Sequence, residues 1–211
     1  MIDPQSIDLA DFLITWYGAP SRDEKPLPAP CDWLPEPLRN WHTLAARWDL
    51  RLTSTTTLVS PENLHVADDG MAIFMVDATG DWRWCFDPAE PDLVFEAERY
   101  EPWERSSETL SELLVHNAVR EVVYGAPAGK RAVAASDEVL SEVLATMDEI
   151  SFGPWRWPTP GFRTFMGSMT VAEAIRSSSS SGWDVDVVAP TLGRLSHLDR
   201  LSEAHWRTRG Q

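Results

Sequence analysis

Apolar positions along this chain recur in two rhythms, one of three to four residues and one close to two. In IDLADFLITWY, residues 7 to 17, Ile7, Phe12, Leu13 and Trp16 fall near helical spacing, and Gly18 with Pro20 supplies a stop. Ser21 to Pro37 holds Pro26, Pro28, Pro30, Pro35 and Pro37, a density no helix tolerates, so this stretch reads as an extended connector. Leu34, Leu38, Trp41, Leu44, Ala45 and Trp48 then recur at steps of 4, 3, 3, 1 and 3, the stripe of an amphipathic helix lying on a core.

The rhythm changes after that helix. Thr53 to Ser60 reads as a loop or a short edge strand, and Asn63 to Val66 as a brief strand before the Asp68-Asp69-Gly70 turn. Met71 to Val76 is a nearly unbroken apolar run, which suits a strand buried on both faces. Asp77 to Asp81, with Gly80, predicts a hairpin turn, Trp82 to Phe86 the next strand and Leu93 to Phe95 a third. These make an antiparallel β-meander of at least three strands. Ser107 is placed as the N-cap of a long helix, with Glu108 in its first turn to complement the dipole. Leu110, Leu113, Leu114, Ala118 and Val122 form its apolar face, and Gly125 and Pro127 end it.

Beyond Gly125 the pattern predicts a helix capped by Ser136 and running through Met147. A hairpin of Gly153 to Pro160 and Phe162 to Met166 follows, turning at Thr159-Pro160-Gly161. Met169 to Ile175 fits strand or helix equally. Ser177 to Ser181 reads as a flexible serine loop, Trp183 to Val188 as a strand, Leu192 to Leu201 as a last short helix and Arg207 to Gln211 as a frayed tail. No internal repeat is visible. The expected class is α+β: an antiparallel β-meander flanked by helices over residues 1 to 125, with a C-terminal α/β appendage, residues 126 to 211, packed on it.

Composition bounds what such a fold does. Of 211 residues 43% are apolar, enough for a core, and no apolar run approaches the roughly 18 residues of a membrane span. The first residues lack the basic region of a secretory signal, and two cysteines, Cys31 and Cys85, fit reduced thiols in a cytoplasmic protein. Net charge is −15, and its placement matters more than its size. Residues 61 to 112 carry 14 acids and 3 bases, a net of −11, whereas residues 126 to 211 carry ten acids and nine bases. Binding to nucleic acid or to anionic lipid runs on basic side chains, so both are disfavoured. A basic protein partner suits the acidic meander. Eleven tryptophans are present; most belong in the core, and one or two are candidate anchors for a partner.

Catalytic signatures are missing. The five histidines form no zinc-like spacing, and His116, with Glu112 and Arg120 four positions to either side, reads as a surface i,i+4 contact. His42, beside Trp41, falls on the polar flank of its helix. Asp68-Asp69-Gly70 lacks the alternating acids of an EF-hand loop, and Asp77 and Asp81 suit a turn better than a catalytic pair. No nucleophile elbow, dinucleotide fingerprint or phosphate loop occurs, and Cys31 has no adjacent cation. A binding protein is therefore expected rather than an enzyme, with no cofactor and no metal.

Three segments carry a resemblance: LPEPLRNWHTLAARW, ENLHVADDGMAIFMVDATGDWRWCFDP and PDLVFEAERYEPWERSSETLSELLVHNAVREVVY. Their order resembles the SUKH superfamily over roughly residues 5 to 125. In that family a Leu-Pro segment opens a helix, an apolar strand follows a glycine, a hairpin carries Trp, and a Val-aromatic strand comes next. A Trp-bearing loop then leads into a Leu-rich helix. Here those positions are Leu34-Pro35, Gly70 to Val76, Trp82 to Phe86, Val94-Phe95, Trp103, and Ser107 to Leu114. Residues 126 to 211 lie outside it. The resemblance implies a non-enzymatic protein, and many bacterial members look like immunity proteins that neutralise protein toxins, often nucleases. Asp68, Asp69, Asp81, Glu96, Glu98, Glu101 and Glu104 are then the expected contact acids, with Trp82 and Trp103 as aromatic anchors. The alternatives are a regulatory scaffold or homo-oligomeric subunit and, last, a metal-assisted hydrolase.

Overall fold

A computed structural model of the chain describes residues 1 to 209 apart from 179, 202 and 203. Residues 210 and 211 of the expected tail, and 179 of the serine loop, lie outside the described residues. The fold is α+β, with two antiparallel sheets. The first is a five-stranded meander whose strands follow chain order: β1 (Thr56–Leu58), β2 (Ala72–Asp77), β3 (Trp82–Asp87), β4 (Glu90–Glu98) and β5 (Glu104–Thr109). The second has six strands: β6 (Ala128–Ala135), β7 (Asp148–Glu149), β8 (Arg163–Gly167), β9 (Thr170–Arg176), β10 (Trp183–Ala189) and β11 (Arg207–Arg209). Their order is β11-β6-β10-β9-β8-β7. Four α-helices accompany them: α1 (Leu9–Tyr17), α2 (Glu36–Ala45), α3 (Leu110–Gly125) and α4 (Asp137–Leu144).

Helix α3 joins the two sheets. One of its stripes, Leu110, Leu113, Leu114 and Ala118, packs with Phe74, Trp84 and Val94 of the first sheet and with Leu38 and Trp41 of α2. Another stripe, Val115, Val119, Val122 and Val123, packs with Phe12, Leu13 and Trp16 of α1 and reaches Val171 and Val188 of the second sheet. Each such side chain contributes about 1.5–3 kcal/mol on burial. The far face of the second sheet is covered by Val139, Leu140 and Val143 of α4 and by Leu195 and Leu198 of a 3-10 segment. The N-terminus also spans the halves: the Ile2 N–H donates to the Glu149 carbonyl (2.7 Å), and the Ser151 N–H to that of Ile2 (2.9 Å).

Several elements depart from expectation. The long helix begins two residues late, because Thr109 rather than Ser107 is its N-cap. Thr109 has Glu112 three positions on and closes a reciprocal capping box; Ser107 has Leu110 there and cannot. Ser107 and Glu108 instead belong to β5. The Gly153-to-Pro160 half of the expected hairpin is not a strand: Pro154, Pro158 and Pro160 offer no N–H to a ladder, and β8 pairs with β7 and β9. The Met169-to-Ile175 segment resolves as strand β9. Two unforeseen strands are β6, whose AGKRAVAA sequence has little β preference, and β11, which pairs with β6 where a frayed tail was expected. Asn63 to Val66 supplies only an isolated bridge, Val66 to Ala72. On β2, Ile73 and Val76 are half-buried, so one face is only partly covered. Leu192 to Arg200 is helical, of the 3-10 kind.

Candidate functional site

Antiparallel order brings the β2–β3 turn and the β4–β5 loop to one end of the first sheet. The turn is built by Asp77, whose carboxylate accepts from the Thr79 hydroxyl (2.6 Å) and the Trp82 N–H (2.9 Å). Burial pushes that carboxyl up, but these hydrogen bonds outweigh it and hold it below the usual range. Trp82 follows, opposite Glu98 in register, while Glu96 lies opposite Glu104.

Four expected residues converge here. Trp82, Glu98, Glu101 and Glu104 line one cavity of about 270 Å³. A cation from the other half of the chain forms part of its wall: Arg156 pairs with Glu104 and lies 5.7 Å from the Trp82 ring centroid. Among the described residues no cation pairs with Glu98 or Glu101. Glu96, expected as a surface contact acid, is buried instead, 3% exposed. It shares the inward face of β4 with Val94, and the Trp82 Nε1–H donates to its carboxylate (3.4 Å). Burial pushes the Glu96 carboxyl up, against the pull of that hydrogen bond and of Arg156.

The other expected residues gather nearby. Asp69 accepts from Trp103 Nε1 (2.9 Å) and from the Met71 N–H (3.1 Å), and these bonds, Trp103's foremost, hold its carboxyl below the usual range. Trp103 is half-buried, with the Arg83 guanidinium 4.4 Å from its ring centroid. Arg83 in turn donates to the carbonyls of Glu98 and Glu101 (3.5 Å each), which ties this group to the cavity. The indole of Trp103 is thus already engaged within the chain. Asp68 and Asp81 are exposed, Asp81 immediately before β3 with its carbonyl accepting from the Arg99 N–H.

What positions Arg156 was not visible in the sequence. It rides on an irregular strap, residues 151 to 162, pinned by buried polar side chains of α3 and β5. Glu108 accepts from the Gly153 N–H (2.9 Å) and Trp155 Nε1 (2.7 Å), and its Oε1 lies 2.9 Å from His116 Nδ1. His116 is 6% exposed and stacks on Phe152 at 4.0 Å, so the surface i,i+4 contact is not formed. Arg120 donates to the Trp157 carbonyl (2.7 Å), and its guanidinium sits among Phe162, Trp157 and Trp155. Its Nε is 3.3 Å from Glu173 on β9. Glu121 faces the first sheet and accepts the N–H groups of Ser54, Thr55 and Thr56. His42 is half-buried, its pKa lowered to about 4 by burial. The sequence did carry a signal for this: Val115, Val119, Val122 and Val123 form a second apolar stripe, and a helix apolar on two sides is covered on two sides, its polar residues included.

The chemistry these groups offer is hydrogen bonding and charge. The His116 ring packs against Phe152 and Trp155, and Glu108 holds both His116 and the Trp155 indole. Among the described residues no group of three or more His, Cys, Asp or Glu could hold a metal ion, and no helix is long and apolar enough to cross a membrane. Both cysteines are free and buried. Among the described residues six tryptophans are buried and Trp33 is exposed, at 42%; Trp82, Trp103, Trp157 and Trp206 are intermediate. Comparison of the chain with protein-family models, with curated proteins and with solved structures finds no match in any of the three.

Proposed function

We propose that this chain is a non-enzymatic binding protein whose ligand is a cationic protein, with the turn end of the first sheet as the contact face. The observation that carries this reading is the convergence of Trp82, Glu98, Glu101 and Glu104 on a single cavity, one wall of which is a guanidinium, that of Arg156, already paired with Glu104 and set over the Trp82 ring. A partner's lysine or arginine head meets related chemistry there: an indole ring, two unpaired carboxylates and a rim that sheds its water on contact. Exposed ion pairs are worth only about 0–1 kcal/mol each, so affinity rests on Trp82 and the desolvated centre. The net charge of −11 over residues 61 to 112 governs the approach, by steering and by local concentration.

Within that reading the partner of choice is a basic toxin, a nuclease above all, since an enzyme that grips phosphate presents the surface an acidic inhibitor can cover. The likeness of residues 5 to 125 to the SUKH pattern favours an immunity role in the cytoplasm, where two free buried thiols also fit. The test begins with the basic protein that co-purifies with the chain at low salt. Its association rate is measured at low and high ionic strength against wild type and against Glu98→Gln/Glu101→Gln. The variant should associate roughly tenfold more slowly at low salt, with a flatter salt dependence. An unchanged rate and slope refute the contact face.

A further inference from the structure

A second concavity lies away from the turn end. The N-terminal parts of α1 and α3 and one side of α2, from Glu36 to Leu44, meet around a groove of about 640 Å³, with Pro91 and Asp92 at the start of β4 as its lip. Its floor is apolar: Leu9 and Leu44 are half-buried, and Trp41 and Leu114 lie beneath. Its rim is acidic: Asp8, Glu36 and Asp92 are exposed, and none of the described residues that line it is basic.

Helix N-termini favour anions, so the sign of the field needs deciding by magnitude. Each terminus carries about +0.5 of a charge, roughly +1.5 for three, while the three rim carboxylates carry −3. Two of the termini are also occupied: Asp8 accepts from the Asp11 N–H (3.0 Å) at α1, and Thr109 with Glu112 closes α3. The groove is therefore negative at its rim and apolar at its floor. An anion meets repulsion there, and a purely apolar ligand leaves the rim charges unanswered. Lysine and arginine satisfy both, since their stems cover apolar surface while their heads stay at the rim.

We propose that this groove takes a cationic amphipathic segment of a protein partner, its apolar side chains on Leu9, Trp41 and Leu44 and its basic heads against Asp8, Glu36 and Asp92. The proposal rests on the reading that the chain binds a cationic protein, and it adds a second point of contact. Asp92 and Glu98 stand six strand positions apart on β4, roughly 20 Å, within the span of one interface of about 800 Å² per partner.

The probe is a short fluorescein-labelled peptide of leucine and lysine at helical spacing, read by anisotropy, beside a matched leucine–glutamate peptide. Ser111→Trp and, independently, Asn40→Trp fill the groove from exposed positions on α3 and α2, with circular dichroism confirming the fold of each. The leucine–lysine peptide should bind at least about tenfold tighter than its acidic counterpart and lose about tenfold in either filled variant. It should change less than about twofold in Glu98→Gln/Glu101→Gln. No binding, equal binding of the acidic peptide, binding that survives filling, or equal loss in the turn-end variant each overturns the groove. If the groove fails while capture of a basic protein still depends on Glu98 and Glu101, the turn-end reading stands without it.

Discussion

Replacing Glu173 by Gln should abolish a pH dependence of stability that the wild-type chain carries between about pH 5 and 8. Glu173 lies on β9, 3% exposed, with its Oε1 3.3 Å from Arg120 Nε. Burial pushes its carboxyl from 4.5 up to about 7; Arg120 pulls it down only part of the way, and Asp186, its register partner on β10, pushes it further up. Between those two values the folded chain binds the proton more tightly than the unfolded chain. The contribution to stability is thus fully present below about 4.5 and is lost as pH rises through about 7. Integrated from pH 5 to 8, the loss is about 2–3 kcal/mol. Gln cannot titrate and is close in shape to protonated Glu. The difference in unfolding free energy, Glu173→Gln minus wild type, should therefore be about +1 kcal/mol at pH 5 and rise to about +3 kcal/mol at pH 8, since other groups cancel in the subtraction. Urea unfolding across that range, with the slope m held common, measures it. A flat or falling difference refutes the reasoning: it means that Arg120 outweighs burial and keeps Glu173 ionised throughout.

Glu121→Ala should cost about 3–5 kcal/mol in urea unfolding, because it strands the N–H groups of Ser54, Thr55 and Thr56 beside a void. A cost below 1 kcal/mol means that water replaces the carboxylate freely. Gly153→Ala places a Cβ 2.5 Å from Ser107 Oγ and 2.6 Å from Glu108 Cγ, so thermal unfolding should register about 1–3 kcal/mol of strain. Trp82→Ala should raise the dissociation rate of a cationic partner at least about tenfold and leave its association rate within about twofold, read by surface-immobilised kinetics.

Local pattern sufficed where one element answers to one face. The amphipathic stripes of α1 and α2, the two hairpins of the meander and the Ser136 cap of α4 all follow from spacing and turn chemistry. It failed where an element is shared. Helix α3 lies between two sheets, so its polar residues, read as a solvated flank, are instead the pins of neighbouring segments. Strand β6 has alanines and glycine where β-branched residues normally announce a strand; its ladder with β10 makes it one. At the candidate site the positions of Trp82, Glu98 and Glu104 at strand ends, and of Glu101 in the loop between β4 and β5, follow from the turn pattern of the meander. Glu96 was misplaced because its parity with Val94, itself legible, was not applied. Arg156 was out of reach, since the strap that delivers it is fixed by Glu108, His116 and Arg120 through contacts that no local pattern encodes.

Two groups of acids in this chain have opposite effects on stability. Asp77, Glu108 and Glu121 are buried and accept hydrogen bonds from named donors, so removing any one leaves those donors stranded. Glu98 and Glu101 are exposed, stand beside Glu104, and answer no cation among the described residues. Crowding like charges on one rim destabilises the folded chain. Glu98→Gln/Glu101→Gln should therefore be more stable than wild type at low ionic strength, by about 0.5–1 kcal/mol, and the gain should vanish in 1 M salt, where the screening length is about 3 Å. Stability and association rate would then move in opposite directions on the same substitution, as they do where a surface is kept for binding at the fold's expense. Loss of stability at low salt refutes this, because it assigns the two carboxylates to the fold and leaves the turn end no charge to offer a partner.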